Sequence, residues 1–99
     1  MREITEQQIL ALAPNAAAAS NGKKISQKGG FVKLERSGDD TLYMGECTGS
    51  GKNNYITSAD YIDEANPVFR CSCPSRQFPC KHSLGLMYEM MAKKEFCIC

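Results

Sequence analysis

Short apolar clusters in the first thirty residues stand between polar helix-start and helix-stop signals. Thr5 followed by Gln8 has the spacing of a capping box, so a short helix is predicted from about residue 6. Pro14 ends this helix. Because proline is favoured in a first helical turn and alanines follow, a second helix is predicted from residue 14 or 15 toward residue 28. Two glycines at 29 and 30 stop it.

From residue 31 the pattern changes to short β-type runs separated by turn-forming residues. The runs cover 31–35, 42–47 and 55–57, and their spacing predicts an antiparallel meander. Residues 68–70 add a further extended piece, and 60–67 are predicted to be a solvated connector. Apolar residues then recur at helical spacing at Leu84, Met87, Tyr88 and Met91, which predicts a final helix.

The chain is predicted to be one α+β domain with four consecutive parts. Two N-terminal helices occupy 1–30, a small antiparallel β-meander occupies 31–70, a cysteine-containing loop occupies 71–82 and a C-terminal helix occupies 83–95. A chain of 99 residues and 10.9 kDa has room for a single core. The apolar residues that end the chain lead us to expect that it is a fragment of a longer protein.

Composition changes this picture mainly through the cysteines. The chain is 42% apolar and 23% charged, as in globular domains, and we expect neither a membrane span nor an export signal. We therefore expect a cytoplasmic protein. In a reducing compartment, cysteines indicate metal ligands or buried thiols more than disulfides. The six cysteines are Cys47, Cys71, Cys73, Cys80, Cys97 and Cys99.

The candidate chemistry lies in CSCPSRQFPCKH, residues 71–82. This segment holds three thiols and the only histidine of the chain, which is the ligand inventory of a tetrahedral Cys₃His zinc site. In an extended strand, Cys71 and Cys73 share a face and Ser72 points away. In a helix, two positions span about 200°, so Cys80 is placed just before the final helix and His82 in its first turn.

Other interpretations of the same residues were weighed against zinc. Buried structural thiols with a surface histidine fit poorly, because polar and charged residues surround these cysteines. Disulfides and a Cys80–His82 nucleophile are also less favoured, and no third residue is indicated to orient the imidazole. Four ligands close the coordination sphere, so one structural zinc per chain, bound by Cys71, Cys73, Cys80 and His82, is predicted. The remaining three cysteines are predicted not to bind it.

The motif resembles the SWIM zinc finger, in which Cys-x-Cys and Cys-x-His lead directly into a helix. The closest likeness is in CSCPS at 71–75 and FPCKHSLGL at 78–86. The whole chain also resembles the N-terminal region of bacterial proteins that carry one such finger. The resemblance implies Cys71, Cys73, Cys80 and His82 as zinc ligands and a role in binding DNA or proteins. It implies no enzymatic activity.

Charge bears on the choice between those partners. The formal net charge is +1, and three thiolates with one Zn²⁺ would bring it to 0, so we expect no strong field toward nucleic acid or membranes. Arg70, Arg76 and Lys81 lie beside the ligands, where they either offset a locally anionic site or contact phosphate. We favour a protein-interaction module of a larger protein, with DNA binding as the alternative.

Overall fold

The described part of the chain folds as three helices against one sheet. The computed structural model describes residues 3–48, 54–63, 65–73, 80–92 and 96–98. The elements are α1 (Glu6–Leu12), α2 (Ala16–Gln27), β1 (Phe31–Arg36), β2 (Leu42–Thr48), β3 (Asn54–Asp60), β4 (Val68–Cys71), α3 (Lys81–Met91) and β5 (Cys97–Ile98). The strand order is β4-β3-β2-β1-β5, and β1 to β4 pair antiparallel. The predicted α+β class is confirmed.

Side-chain caps set the starts of the two N-terminal helices. The Thr5 hydroxyl accepts from the Gln8 backbone N–H at 3.2 Å, and the Gln8 side chain accepts from the Thr5 N–H at 3.1 Å, so the capping box is confirmed. In α2 the Asn15 side chain accepts from the Ala18 N–H at 2.8 Å. The predicted start at residue 14 or 15 is therefore slightly early, because Asn15 is the cap and the helix follows it.

Alternation along the strands gives the sheet one buried and one exposed face. Tyr43, Gly45 and Cys47 of β2 and Thr57 and Ala59 of β3 face the helices, and the residues that alternate with them face outward. Strand β3 continues to Asp60, so the predicted end at 57 and the assignment of Asp60 to a connector are wrong. The strand includes residues of weak β-propensity because β3 pairs with β2 without interruption up to Asp60.

The end of the described chain adds a strand that the sequence pattern did not predict. Cys97–Ile98 pairs parallel with β1, and Phe96 is buried, edge-on to the Tyr43 ring with centroids 5.8 Å apart. Helix α3 begins at Lys81, two residues before the prediction, and ends at Met91. Residues 93–95, which were predicted to be helical, lie outside the described residues.

Helices α2 and α3 cross with their backbones in near contact at two glycines. A Cβ on Gly22 would lie 2.8 Å from the Lys81 carbonyl oxygen and 2.9 Å from the Gly85 nitrogen. A Cβ on Gly85 would lie 3.1 Å from the Gly22 carbonyl oxygen. The absence of both side chains therefore lets α2 pack directly against the first turns of α3, beside the candidate metal ligands.

Candidate metal centre

Two separate pieces of chain contribute the four predicted ligands. Cys71 is the last residue of β4 and Cys73 follows two residues later. Cys80 is the N-cap of α3 in extended conformation, and His82 is the second residue of that helix. Their sulfur and ring-nitrogen atoms all lie within 4.8 Å of one another. The structure thus places all four side chains around one point.

The distances inside this group fit one tetrahedral ion bound through Nδ1 of the histidine. That nitrogen lies 3.6 Å from Cys71 Sγ and 3.9 Å from Cys80 Sγ. Zinc bonds of about 2.3 Å to sulfur and about 2.0 Å to nitrogen at tetrahedral angles require about 3.5 Å between S and N. The side chains therefore need only small adjustments to share an ion.

Backbone contacts hold the Cys-x-Cys turn against β3. The Ser72 N–H donates to the Ile56 carbonyl at 3.0 Å, and the Ser72 hydroxyl accepts from the Ile56 N–H at 2.9 Å. Ser72 is exposed and faces away from the metal group, as its position between two ligands predicts. Arg76, which was considered as a basic neighbour of the site, lies outside the described residues.

Electrostatics within the group favour a thiolate at Cys80. A hydrogen bond from Cys71, followed by contacts with His82 and Ser83, holds the pKa of Cys80 well below its ordinary value. The same hydrogen bond, together with burial, raises the pKa of Cys71. Because the N-terminus of a helix also favours negative charge, Cys80 is the first of these two thiols to lose its proton.

The other described cysteines lie outside the group. Cys47 is buried in β2, its Sγ donates to the Tyr55 carbonyl at 3.6 Å, and burial with the nearby Cys80 and Cys73 raises its pKa to about 11. Cys97 lies on β5, four strand spacings or about 19 Å from β4. Cys99 lies outside the described residues. That Cys47, Cys97 and Cys99 do not bind the ion stays a prediction.

Sequence reasoning missed the residues that surround the ligands. The Tyr55 ring packs on the His82 ring with centroids 5.1 Å apart. The hydroxyls of Thr57 and Ser83 lie 2.8 Å apart, and Ser83 Oγ is 3.7 Å from Cys80 Sγ. Alternation places Tyr55 and Thr57 on one strand face, but only the folded chain brings that face to the ligands.

The donor set tests which metal fits. Three thiolates and one imidazole in tetrahedral array suit Zn²⁺, and four protein donors complete its structural coordination. Fold and site together define a small domain with one structural zinc. Consistent with that class, a family model described as SWIM zinc finger matches residues 70–90, which include all four donors. The matched segment is similar to the SWIM zinc finger, which is a structural domain and not an enzyme family.

The match covers 21 of the 99 residues, so the helices α1 and α2 and most of the sheet lie outside it. No curated protein and no solved structure matches the chain. Within the described residues, no helix has the length and apolar character needed to cross a bilayer.

Proposed function

We propose that the protein is a zinc-stabilised interaction module in which Cys71, Cys73, Cys80 and His82 hold one structural Zn²⁺. The observation that carries this proposal is the convergence of their four donor atoms within 4.8 Å. Bound at this point, the ion cross-links the end of β4 to the start of α3. Cysteines that bind metal are typical of a reducing compartment, for which we propose the cytoplasm.

The exposed face of the sheet supports a protein as the partner. Ile56 and Val68 are 49% and 48% exposed on this face, and Leu42 is 36% exposed. A shallow depression of about 80 Å³ lies between the strands on the same face. It is lined by Lys33, Glu35, Met44, Glu46 and Ile56. Apolar side chains ringed by mixed charges are typical of protein-binding surfaces.

Charge on this face argues against nucleic acid. Its acidic side chains are Glu35, Glu46 and Asp60, and its basic ones among the described residues are Lys33 and Arg70. The net negative charge of this surface would repel a phosphate backbone, whereas it would not repel an apolar protein surface. We therefore propose that a protein with an apolar contact surface binds the outer face of the sheet.

DNA binding remains the second candidate because two cations flank the ligands. Arg70 precedes Cys71, Lys81 follows Cys80, and both are exposed. Each also lies beside a site that carries a net charge of −1 when zinc is bound to three thiolates. These two cations already offset the negative charge of the zinc site. They are too few to bind duplex DNA well, since even non-specific binding with a Kd of about 10⁻⁴–10⁻⁶ M rests on several phosphate contacts.

The partner class is tested with matched surface variants of the zinc-loaded protein. We expect that a protein from cell extract cross-links to the wild type and does not cross-link to the Ile56→Asp variant. It should be retained with Ile62→Asp, which alters a residue that is 78% exposed but lies outside the strands. Equal capture by both variants contradicts the proposal. Sub-micromolar affinity for DNA at about 150 mM salt, weakened by Arg70→Ala, would establish the alternative.

A further inference from the structure

We propose that Thr57 and Ser83 form a buried hydroxyl bridge that positions Cys80 for zinc and joins the two halves of the site before the metal binds. This inference rests on the proposed zinc site. It concerns positioning residues, which lie behind the ligands and do not themselves contact the ion. Neither residue belongs to the Cys₃His set, and Thr57 lies outside the segment that the family model matches.

The bridge runs from one ligand-bearing element to the other. Thr57 of β3 pairs with Cys71 across the sheet, and its hydroxyl donates to the Arg70 carbonyl at 2.9 Å. The Thr57 and Ser83 oxygens are 2.8 Å apart, and Ser83 Oγ lies 3.7 Å from Cys80 Sγ. Both hydroxyl-bearing side chains are 0% exposed. A continuous polar path therefore connects β4 to the N-cap of α3.

Proton counting shows how the bridge serves a thiolate. Each hydroxyl donates one proton, so Thr57 and Ser83 have two protons for three contacts. Zinc ligation needs Cys80 as a thiolate, and a charged acceptor forms the stronger hydrogen bond. In the metal-free chain the Thr57 proton goes to the Arg70 carbonyl and the Ser83 proton to Thr57. When Cys80 is a thiolate, Ser83 turns its proton to Cys80 Sγ, and Thr57 turns its proton from the Arg70 carbonyl to Ser83. This arrangement fixes the direction of the sulfur. It also supplies a hydrogen-bond donor to the thiolate of Cys80, a residue that is only 1% exposed.

The Thr57 hydroxyl can be removed with little change in shape. Thr57 is 0% exposed on the inner face of the sheet, where valine has nearly the same shape and no hydroxyl to desolvate. Replacing threonine by valine removes the bridge with little change in volume. Partners of metal ligands typically change metal affinity by about 10–100-fold when they are lost. The hydroxyl is therefore expected to contribute to metal affinity as well as to folding.

Zinc competition against a chromogenic chelator tests this role on the full chain. We expect Thr57→Val and Ser83→Ala to bind zinc about 10–100-fold more weakly than the wild type. Thr57→Ser, which keeps the hydroxyl, should restore affinity to within about threefold. The matched control is Ser58→Ala, on the same strand but facing outward, and its affinity should equal that of the wild type.

The thiolate-to-metal charge-transfer band of the Co²⁺-substituted protein gives a second readout. It should shift in Thr57→Val and Ser83→Ala and stay unchanged in Ser58→Ala. Zinc affinities of both bridge variants within threefold of the wild type would overturn the bridge while leaving the zinc site intact. A wild-type chain that binds no zinc would instead overturn the proposed site. If Thr57→Val does not fold, Ser83→Ala decides the question by the same two measurements.

Discussion

Cys80 combines two roles at a single residue. It ends the extended segment before α3, with φ −78° and ψ 173°, and occupies the N-cap position where Ser, Thr, Asp or Asn usually lies. Its sulfur belongs to the convergent group of four donors. The helix N-terminus and the Cys71 thiol both favour its thiolate, so this residue couples the start of the helix to metal binding.

Replacing Cys80 by serine separates these two roles. Serine is a good N-cap but supplies no thiolate, so we expect the zinc content of purified protein to fall from about one per chain to near zero. Far-ultraviolet circular dichroism of the zinc-free proteins should show helix content close to that of the wild type. As the control, serine at Cys47, Cys97 and Cys99 together should leave the ratio at one. Undiminished zinc in Cys80→Ser would mean that another residue completes the site.

Tyr88 gives a prediction about alkaline pH. Burial, the Glu6 carboxylate and the hydrogen bond that Tyr88 donates to it at 3.3 Å raise the pKa of Tyr88. Above pH ~10 the unfolded chain therefore loses this proton before the folded chain does. The contribution of Tyr88 to stability is full below that pH and declines as the pH rises through the folded pKa.

Tyr88→Phe should accordingly lower the free energy of unfolding by about 0.5–1.5 kcal/mol at pH 8. The difference from the wild type should shrink at pH 10.5, because the wild type alone loses the contribution of this hydroxyl. Urea unfolding of the zinc-loaded proteins at both pH values measures it. A difference that grows with pH would contradict the assignment.

Among the elements, α3 depends most on its neighbours. Nine of its eleven residues are buried, from His82 to Met90, and it packs against α2 on one side and the inner face of the sheet on the other. The crossing with α2 relies on Gly22 and Gly85, which bring the two backbones together beside Lys81. The position of the zinc-binding turn therefore depends on a helix that contributes no ligand.

Gly22→Ala tests this helix crossing. Alanine improves helix propensity by up to about 1 kcal/mol, but its Cβ would meet backbone atoms of Lys81 and Gly85 under 3.0 Å away. Because backbone yields less readily than side chains, we expect a net loss of about 1–2 kcal/mol in the free energy of unfolding. Asn21→Ala, at the exposed neighbouring position, should be neutral or stabilising. Equal stability of the two variants in urea would show that the helices separate freely.

At the scale of the whole molecule, one core links the helices to the sheet. Ile9 of α1, Ala18 of α2, Tyr43 and Ala59 of the sheet, and Leu84 of α3 belong to the same buried cluster. From the sequence, zinc removal is expected to unfold residues 71–91 and spare part of the N-terminal half. The structure places α3 in the centre of that cluster, so its loss would expose the buried sides of α2 and the sheet.

We therefore predict that α2 and α3 respond together when zinc is removed. Structural zinc contributes about 10–16 kcal/mol in finger peptides, against about 5–15 kcal/mol for the stability of a whole domain. In amide spectra with excess chelator, signals of 16–27 and 82–90 should lose dispersion in parallel, and added zinc should restore both. Loss confined to 82–90, with α2 unchanged, would show that the helices fold independently.

The local features of the protein were predictable from the sequence. The capping box at Thr5, the β-type runs and the helical spacing after Cys80 depend on residues close together in the chain, and so does the set of four donors within 71–82. Their physical basis is short-range: a side chain that caps its own helix, or two cysteines on one face of an extended segment. These signals predicted the α+β class and the candidate site.

Contacts between distant residues decided the rest. The two residues of β5 form a strand only because β1 offers hydrogen bonds, and β3 extends to Asp60 only because β2 continues beside it. Gly22 weakens α2 by itself, and its role becomes clear only from the close approach of α3 at this position. Thr57 is linked to Cys80 through Ser83, which lies 26 positions away in the chain. Sequence patterns record preferences within a few residues, whereas pairing, close approach and buried hydrogen bonds exist only once the chain has folded.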